Sequence, residues 1–133
     1  MTKFESIFED YRKSVQRFQE VLQQEKNEFI RDSAIQRFEI AFELAWKTVK
    51  AFVEVYHNAR CVSPQTCFKE AFRVGLIEYD NAWIELAKTR NLTVHTYKEK
   101  LAEQLYTELP GALEKLQELE RKIRERIGKG SVS

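Results

Sequence analysis

Residues 33–56 read SAIQRFEIAFELAWKTVKAFVEVY, and this stretch decides the fold. Apolar residues recur along it every three or four positions, which is the spacing of an α-helix packed against a core. The main line is Ile35, Phe38, Phe42, Ala45/Trp46, Val49, Phe52/Val53 and Tyr56, and a second line is Ile40, Leu44, Ala51 and Val55. Together they predict a long central helix buried on more than one side. Ser33 and Gln36 match a capping box, so we expect this helix to begin near 32–33.

Three further segments before residue 92 carry helical signals. An apolar stripe runs from Phe4 to Leu22 at helical spacing. Residues 63–75 read SPQTCFKEAFRVG, with a capping serine, a proline suited to the first helical position and a glycine suited to the position past the end. Asp80 is placed to cap another helix that ends near Asn91. We expect that helix to turn Trp83, Ile84 and Ala87 inward.

The last helix has a start signal of its own. Thr96 and Glu99 match a capping box, which predicts helical geometry from Tyr97 onward. Its leucine pattern continues past Pro110, where we expect a kink or a restart because proline disfavours helix in the preceding residue. Short links between four long helices and a short one predict an all-α fold. The expected architecture is an antiparallel up-and-down four-helix bundle with an additional short helix, a single domain over 1–127 with a frayed tail at 128–133.

Composition restricts the class of protein. With 133 residues, 43% of them hydrophobic and 32% charged, the chain is typical of one globular domain. It has no apolar run long enough to cross a membrane, and its first residues, MTKFESIFEDYRK, lack the apolar core of a signal peptide. We therefore expect a cytoplasmic protein that makes no membrane contact. In that compartment we expect Cys61 and Cys67 to be reduced.

Metal and bulk nucleic-acid binding are not favoured. Two cysteines with His57 nearby do not make a zinc pattern, so we expect no metal or other cofactor, and His57 is predicted to cap a helix or lie on the surface. The formal net charge of +1 argues against coating nucleic acid by bulk electrostatics but permits a local site for one phosphate. The wide apolar arc of the central helix exceeds what one bundle buries, which predicts a homodimer.

Polar side chains concentrate between the last two predicted helices, in RNLTVHTY, residues 90–97. If the chain breaks between Asn91 and Thr96, Arg90 ends one helix and His95 precedes the next. A helix N-terminus, a guanidinium and an imidazole suit a phosphodiester, with His95 for proton transfer and Arg90 for the charge that builds on phosphorus. The same residue types are common at helix ends, so spacing alone favours a capping role.

Glu39, Glu43 and Lys47 also share one face of the central helix. Paired carboxylates could act as acids, but a solvated or salt-bridged stripe is the more common role of this spacing. The Trp and Phe positions are predicted to be core rather than a platform for stacked bases, since they follow the apolar stripes.

The segment RNLTVHTY resembles the R-x4-H-x-Y motif of the HEPN superfamily in Arg90, His95 and Tyr97. Two other segments resemble the nucleotidyltransferase substrate-binding subunit family: DSAIQRFEIAFELAWKTVK, residues 32–50, is similar to its second-helix signature, and SPQTCFKEAFRVGLI, residues 63–77, to its Ser-Pro helix. The residues that lead into the motif, from Trp83 to Arg90, are similar to that family as well. The resemblance covers about residues 30–110.

This resemblance implies a helical bundle that dimerises and brings two Arg/His motifs together. It implies a toxin that is a metal-independent endoribonuclease, which cleaves RNA through the 2′-hydroxyl and is silenced when a cognate minimal nucleotidyltransferase adenylates the motif tyrosine. Arg90 and His95 would be catalytic and Tyr97 the modified residue. Asn91 and Thr96 would support the site. The family's older name implies an alternative, a non-catalytic subunit that binds substrate for a two-component nucleotidyltransferase, and a purely structural dimer module is a third possibility.

Overall fold

The computed structural model describes residues 1–78 and 81–128. This part of the chain contains five α-helices and a 3₁₀ turn, joined by short links. The helices are α1 (Lys3–Leu22), α2 (Glu28–His57), α3 (Pro64–Arg73), α4 (Ala82–Leu92) and α5 (Glu99–Gly128), and the 3₁₀ turn is Thr93–His95. The predicted all-α class is confirmed. The predicted cap at Asp80 and residues 129–133 of the predicted tail lie outside the described residues.

Helices α1 and α2 run in opposite directions. Near the start of α1, Phe4 packs against Phe52 and Tyr56 at the end of α2, with ring centroids 5.9 and 5.5 Å apart. Near the other end of the pair, Phe18 lies 6.0 Å from Phe38. The chain therefore reverses between α1 and α2, as the up-and-down prediction requires.

Helix α5 also runs opposite to α1. The buried Tyr11 hydroxyl, midway along α1, donates to the Leu116 carbonyl at 2.5 Å, and burial raises the pKa of this phenol well above its usual value. Beyond the end of α1, Lys26 pairs with Glu103 near the start of α5 at 2.6 Å. Tyr11 thus contacts a later part of α5 than Lys26 does, so α1 and α5 are antiparallel. Because α2 is also antiparallel to α1, α2 and α5 are parallel.

The short helices α3 and α4 together occupy the remaining position of the four-helix bundle. Phe68 on α3 lies between Phe42 on α2 and Trp83 on α4, with ring centroids 5.6 and 4.5 Å away. Arg90, near the end of α4, then reaches Glu43 at the middle of α2. The predicted up-and-down bundle with an additional short helix is confirmed.

The central position of α2 is confirmed, but its two apolar lines differ in burial. Residues of the main line are buried: Ile35, Phe38, Phe42, Val49 and Phe52. In the second line, Ile40 is 39% and Val55 60% exposed. Ile84 on α4, predicted to turn inward, is 52% exposed, and Phe29 and Phe72 are exposed rather than core. One chain thus leaves part of the apolar surface uncovered, and the homodimer stays a prediction.

Helix α2 begins earlier than its apolar pattern indicates. The side chain of Asn27 accepts a hydrogen bond from the Ile30 amide at 2.8 Å, so the helix starts at Glu28. The predicted capping box at Ser33 and Gln36 is therefore wrong, because both residues lie inside the helix. The additional turn exposes Phe29 and buries the charged Arg31, and apolar periodicity does not detect a turn with that arrangement.

The boundaries predicted for α3 are confirmed. The Ser63 hydroxyl accepts from the Thr66 amide at 3.2 Å, and Pro64 is the first helical residue. Past the end, Gly75 has φ +81°, a left-handed conformation that glycine adopts without strain. A Cβ there would lie 2.9 Å from Nη2 of Arg126, so the flexible side chain of Arg126 would have to shift.

The start predicted for α5 is wrong, and of the kink or restart expected at Pro110 the restart does not occur. The helix begins at Glu99 rather than Tyr97, because the Thr96 hydroxyl donates to the Thr93 carbonyl at 3.0 Å instead of capping α5. It also does not restart at Pro110 but stays helical to Gly128. Pro110 is exposed, so water can satisfy the carbonyl that loses its amide partner.

The two cysteines are bonded to each other, so the prediction of reduced thiols is wrong. Cys61 and Cys67 are buried and form a disulfide with their Cα atoms 5.0 Å apart. The capped start of α3 folds Cys67 back toward the preceding loop, a proximity that reasoning about compartment could not reveal. Within the described residues, none of the helices is long and apolar enough to span a membrane.

The prediction that His57 caps a helix or lies on the surface is wrong. Its ring lies 5.5 Å from that of Phe52, and its Nε2 is buried without a hydrogen-bond partner. Burial lowers the pKa of His57, and the positive charges of Arg126 and Arg73 lower it further. The end of α2 therefore holds a histidine that favours its neutral form.

Candidate functional site

The junction between α4 and α5 carries the predicted site. After α4, the 3₁₀ turn Thr93–His95 and a further turn lead into α5, so the predicted break between helices is confirmed. The Thr93 hydroxyl donates to the Arg90 carbonyl at 2.7 Å, and the Lys98 amide donates to the His95 carbonyl at 3.0 Å. The β-branched pair Thr93 and Val94 disfavours a continuous α-helix here. The connection is therefore a tight turn, not a loose loop.

Side chains of the junction divide into an anchoring set and an exposed set. Thr89 and Thr93 are buried, whereas Asn91, His95 and Tyr97 are exposed. Tyr97 is 76% exposed, so most of its side chain is open to solvent. The turn thus presents the motif side chains outward from a buried base.

His95, Tyr97 and Lys98 form an exposed group that we call the junction cluster. The His95 and Tyr97 rings meet edge to face, with centroids 6.2 Å apart. Nζ of Lys98 lies 5.9 Å from the Tyr97 ring centroid, within the range of a cation–π contact. The cluster places an imidazole, a phenol and a cation within one turn of chain.

Arg90 is held by a carboxylate from α2. Its Nη2 donates to Oε2 of Glu43 at 3.1 Å, and Oε1 of Glu43 lies 3.4 Å from Nζ of Lys47. A guanidinium has five N–H donors, and the bond to Glu43 uses one of them. The side chain of Arg90 is 39% exposed, so it can reach a phosphate while Glu43 orients it.

The structure brings the predicted site residues together only in part. In the described chain, Arg90 bonds to Glu43 while His95 contacts Tyr97, and no hydrogen bond joins Arg90 to His95. Thr96 supports the turn through the Thr93 carbonyl. Residues 1–78 and 81–128 contain no group of three or more His, Cys, Asp or Glu side chains arranged to hold a metal ion.

Glu43 is a site residue that sequence reasoning missed. The predicted salt bridge between Glu43 and Lys47 is confirmed, but Glu43 also crosses to Arg90, 47 positions away. Helical spacing identifies partners within one helix only, so beyond the carboxylate itself no sequence signal pointed to the second contact.

Arg31 is a second missed residue, and it fixes the start of α5. Its side chain is 4% exposed and donates from Nη1 to Glu99 at 2.7 Å and from Nε to Asp32 at 2.9 Å. These hydrogen bonds raise the pKa of Arg31, and the bond from Arg31 is the main cause that lowers the pKa of Glu99. The first turn of α5 is therefore tied to the first turn of α2.

An up-and-down bundle with an R-x4-H-x-Y segment exposed between its last two helices defines a HEPN-type domain. Residues 6–125 match the model of the family described as nucleotidyltransferase substrate binding protein like, and the chain belongs to that family. Membership agrees with the resemblance found in the motif and in the second and third helices.

Known proteins with similar sequences or structures include a ribonuclease and a substrate-binding domain. The probable ribonuclease HepT of Haemophilus influenzae is 30% identical over 80 residues, which are 57% of this chain and 55% of that protein, so the chain spans about half the length of this curated relative. A crystal structure from Thermus thermophilus superposes with a TM-score of 0.80 at 31% identity, covering 86% of this chain and 98% of that one. A Haemophilus influenzae structure, described as the fold of a substrate binding domain of a nucleotidyltransferase, has a TM-score of 0.66 at 22% identity over 91% and 96% of the two chains. That last likeness shows the fold alone.

Proposed function

We propose that this protein is a HEPN-family toxin, a metal-independent endoribonuclease that a cognate minimal nucleotidyltransferase silences by adenylation. The observation that carries the proposal is the outward presentation of His95 and Tyr97 from a turn whose base is buried, with Arg90 half-exposed near the end of the preceding helix. Residues kept only for capping would be bonded to the helix ends, whereas His95 and Tyr97 face solvent. The similarity to a probable ribonuclease supports the same chemistry.

The proposed reaction needs one proton removed and one supplied. The RNA 2′-oxygen attacks phosphorus and forms a new P–O bond, the bond from phosphorus to the 5′-oxygen breaks, and the 5′-oxygen leaves as a hydroxyl. Histidine can serve both steps, since it changes charge nearest neutral pH, and His95 is assigned that role. Arg90 binds the phosphate oxygens on which negative charge builds. The products are a 2′,3′-cyclic phosphate and a 5′-hydroxyl end.

A second copy of the chain is proposed to complete the site. Exposed apolar residues lie within the motif segment: Leu92 is 41% and Val94 is 69% exposed. A two-fold interface over these residues would bring two His95 side chains near one phosphate, one to take a proton and one to give it.

Cleavage of single-stranded RNA in EDTA tests the proposal. Wild-type protein should cut RNA and leave the 2′-deoxy analogue intact. Because the loss of a general acid–base costs roughly a hundredfold or more, His95→Ala and Arg90→Ala should abolish cleavage with thermal midpoints unchanged. Arg60→Ala, which removes an exposed arginine away from the junction, is the matched control and should cleave normally.

The second candidate function is a non-catalytic substrate-binding subunit of a two-component nucleotidyltransferase. It is favoured by the name of the matched family and by the description of the Haemophilus influenzae structure. A wild-type protein that cuts none of a broad RNA panel, yet binds a minimal nucleotidyltransferase, would support this candidate. Variants of Arg90 and His95 that unfold would instead support a purely structural module.

A further inference from the structure

Arg31 stands apart from the other charged residues of the described chain because it alone is buried. Its exposed partner Glu99, with 67% of its side chain accessible, is the first residue of α5. The guanidinium uses two nitrogens on this one carboxylate, at 2.7 and 3.4 Å, and a third on Asp32. The contact therefore fixes both the distance and the orientation of the start of α5.

The first turn of α5 is continuous with the turn that carries the motif. The Ala102 amide donates to the Lys98 carbonyl at 3.0 Å, and the Lys98 amide donates to the His95 carbonyl at 3.0 Å. A carboxylate held at Glu99 thus restrains Lys98, and through Lys98 the backbone of His95. On the other side of His95, the buried Thr93 provides a second anchor.

Stability alone does not account for a buried arginine at this place. Desolvating a guanidinium costs free energy that its ion pairs only partly return, and apolar replacements of buried pairs are often neutral or stabilising. A pair of this kind has a function that an apolar contact lacks, because a forked hydrogen bond sets one geometry.

We infer that Arg31 is a positioning residue: through Glu99 it fixes the turn that presents His95 and Tyr97. The consequence for catalysis rests on the proposed function, whereas the restraint on the turn does not. Arg31 itself is too buried to touch RNA, so it acts through carboxylates of α5: mainly Glu99 at 2.7 Å, with Glu103 farther away at 3.9 Å.

The variant Glu99→Gln tests the inference with little change in shape. It removes the charge, leaves Arg31 bonded to Asp32, and should speed hydrogen exchange at the Lys98 and Ala102 amides. In RNA cleavage, kcat should fall roughly tenfold with KM nearly unchanged, because a small misplacement of the reacting groups weakens catalysis more than binding. Lys26→Gln is the matched control, since it breaks the neighbouring exposed pair with Glu103 and leaves the bond between Arg31 and Glu99 in place.

Arg31→Lys tests the same contact from the buried side. One ammonium keeps the charge but cannot bind Glu99 with two nitrogens. Faster hydrogen exchange at Lys98 and Ala102 and a lower kcat should therefore both recur, each to a smaller extent. Exchange at Lys98 and Ala102 that matches the Lys26→Gln control would overturn the inference, as would faster exchange with an unchanged kcat. A wild-type protein that cuts no RNA would remove the proposed function, and the exchange comparison would then decide the positioning role by itself.

Discussion

Glu43 contacts two cations at once, Lys47 along α2 and Arg90 on α4. If it orients Arg90 for phosphate, Glu43→Gln should lower kcat/KM for RNA roughly tenfold while the fold is retained. Glu39→Gln, one turn earlier on the same helix, is the matched control and should leave cleavage unchanged. Steady-state kinetics on a short RNA measure the difference. Faster cleavage by Glu43→Gln would mean that the carboxylate competes with RNA for Arg90.

Tyr97 is the residue at which control of the site is expected. Adenylate on its exposed side chain would place a bulky anion beside His95, where the RNA phosphate must bind, so steric exclusion and like-charge repulsion act together. After incubation with a minimal nucleotidyltransferase, ATP and Mg²⁺, peptide mass spectrometry should locate the added mass on Tyr97. Tyr97→Phe should cleave RNA but resist silencing, whereas Tyr106→Phe should be modified like wild type. Transfer to Tyr97→Phe at the wild-type rate would contradict the assignment.

At the scale of elements, the helix caps separate what local sequence predicts from what it does not. The start of α3 was predictable because Ser63, Pro64 and Thr66 form one short signal that depends on no other helix. The start of α2 was not, because the cap at Asn27 lies in a polar stretch without apolar periodicity. Thr96 has the spacing of a cap, yet its hydroxyl bonds back to Thr93. Spacing identifies a possible bond, and competition among nearby carbonyls decides whether it forms.

The candidate site also has features that the local sequence predicts and features that it does not. The motif predicted the break between helices, since that break depends on residues within eight positions of each other. The contacts of Arg90 with Glu43 and of Arg31 with Glu99 join residues 47 and 68 positions apart. They depend on which helices become neighbours, and helical periodicity does not contain that information.

The end of α2 should make the stability of the protein depend on pH through His57. Because the pKa of His57 is lowered from 6.5 in the fold, the unfolded chain binds the proton more readily. The contribution of neutral His57 to the free energy of unfolding is complete above about pH 6.5. It is lost as the pH falls toward the lower pKa that His57 has in the fold. Denaturant midpoints from about pH 7.5 to 5 should therefore fall less in His57→Gln than in wild type. Equal slopes in wild type and His57→Gln would contradict the prediction.

At the scale of the whole molecule, part of the uncovered apolar surface lies beside the site and part lies away from it. Ile40 lies one turn before Glu43 on α2, and Leu92 lies two residues after Arg90. Val94 in the junction and Ile84 on α4 are also exposed. The position of the part beside the site predicts that a second copy covers the surface and brings the two motifs together.

A charge placed in that surface should separate the copies without unfolding either one. Ile40 is already 39% exposed in a single chain, so Ile40→Lys should cost little folding free energy, yet a buried ammonium would oppose the interface. Light scattering at micromolar concentration should give a dimer for wild type and a monomer for Ile40→Lys. Val62→Lys, on a 73% exposed valine between α2 and α3, is the matched control and should stay dimeric. If two His95 side chains share one phosphate, Ile40→Lys should also lose RNA cleavage, and mixing it with His95→Ala should not restore it. A wild-type monomer would remove the two-chain site, and an active Ile40→Lys monomer would assign catalysis to one junction alone.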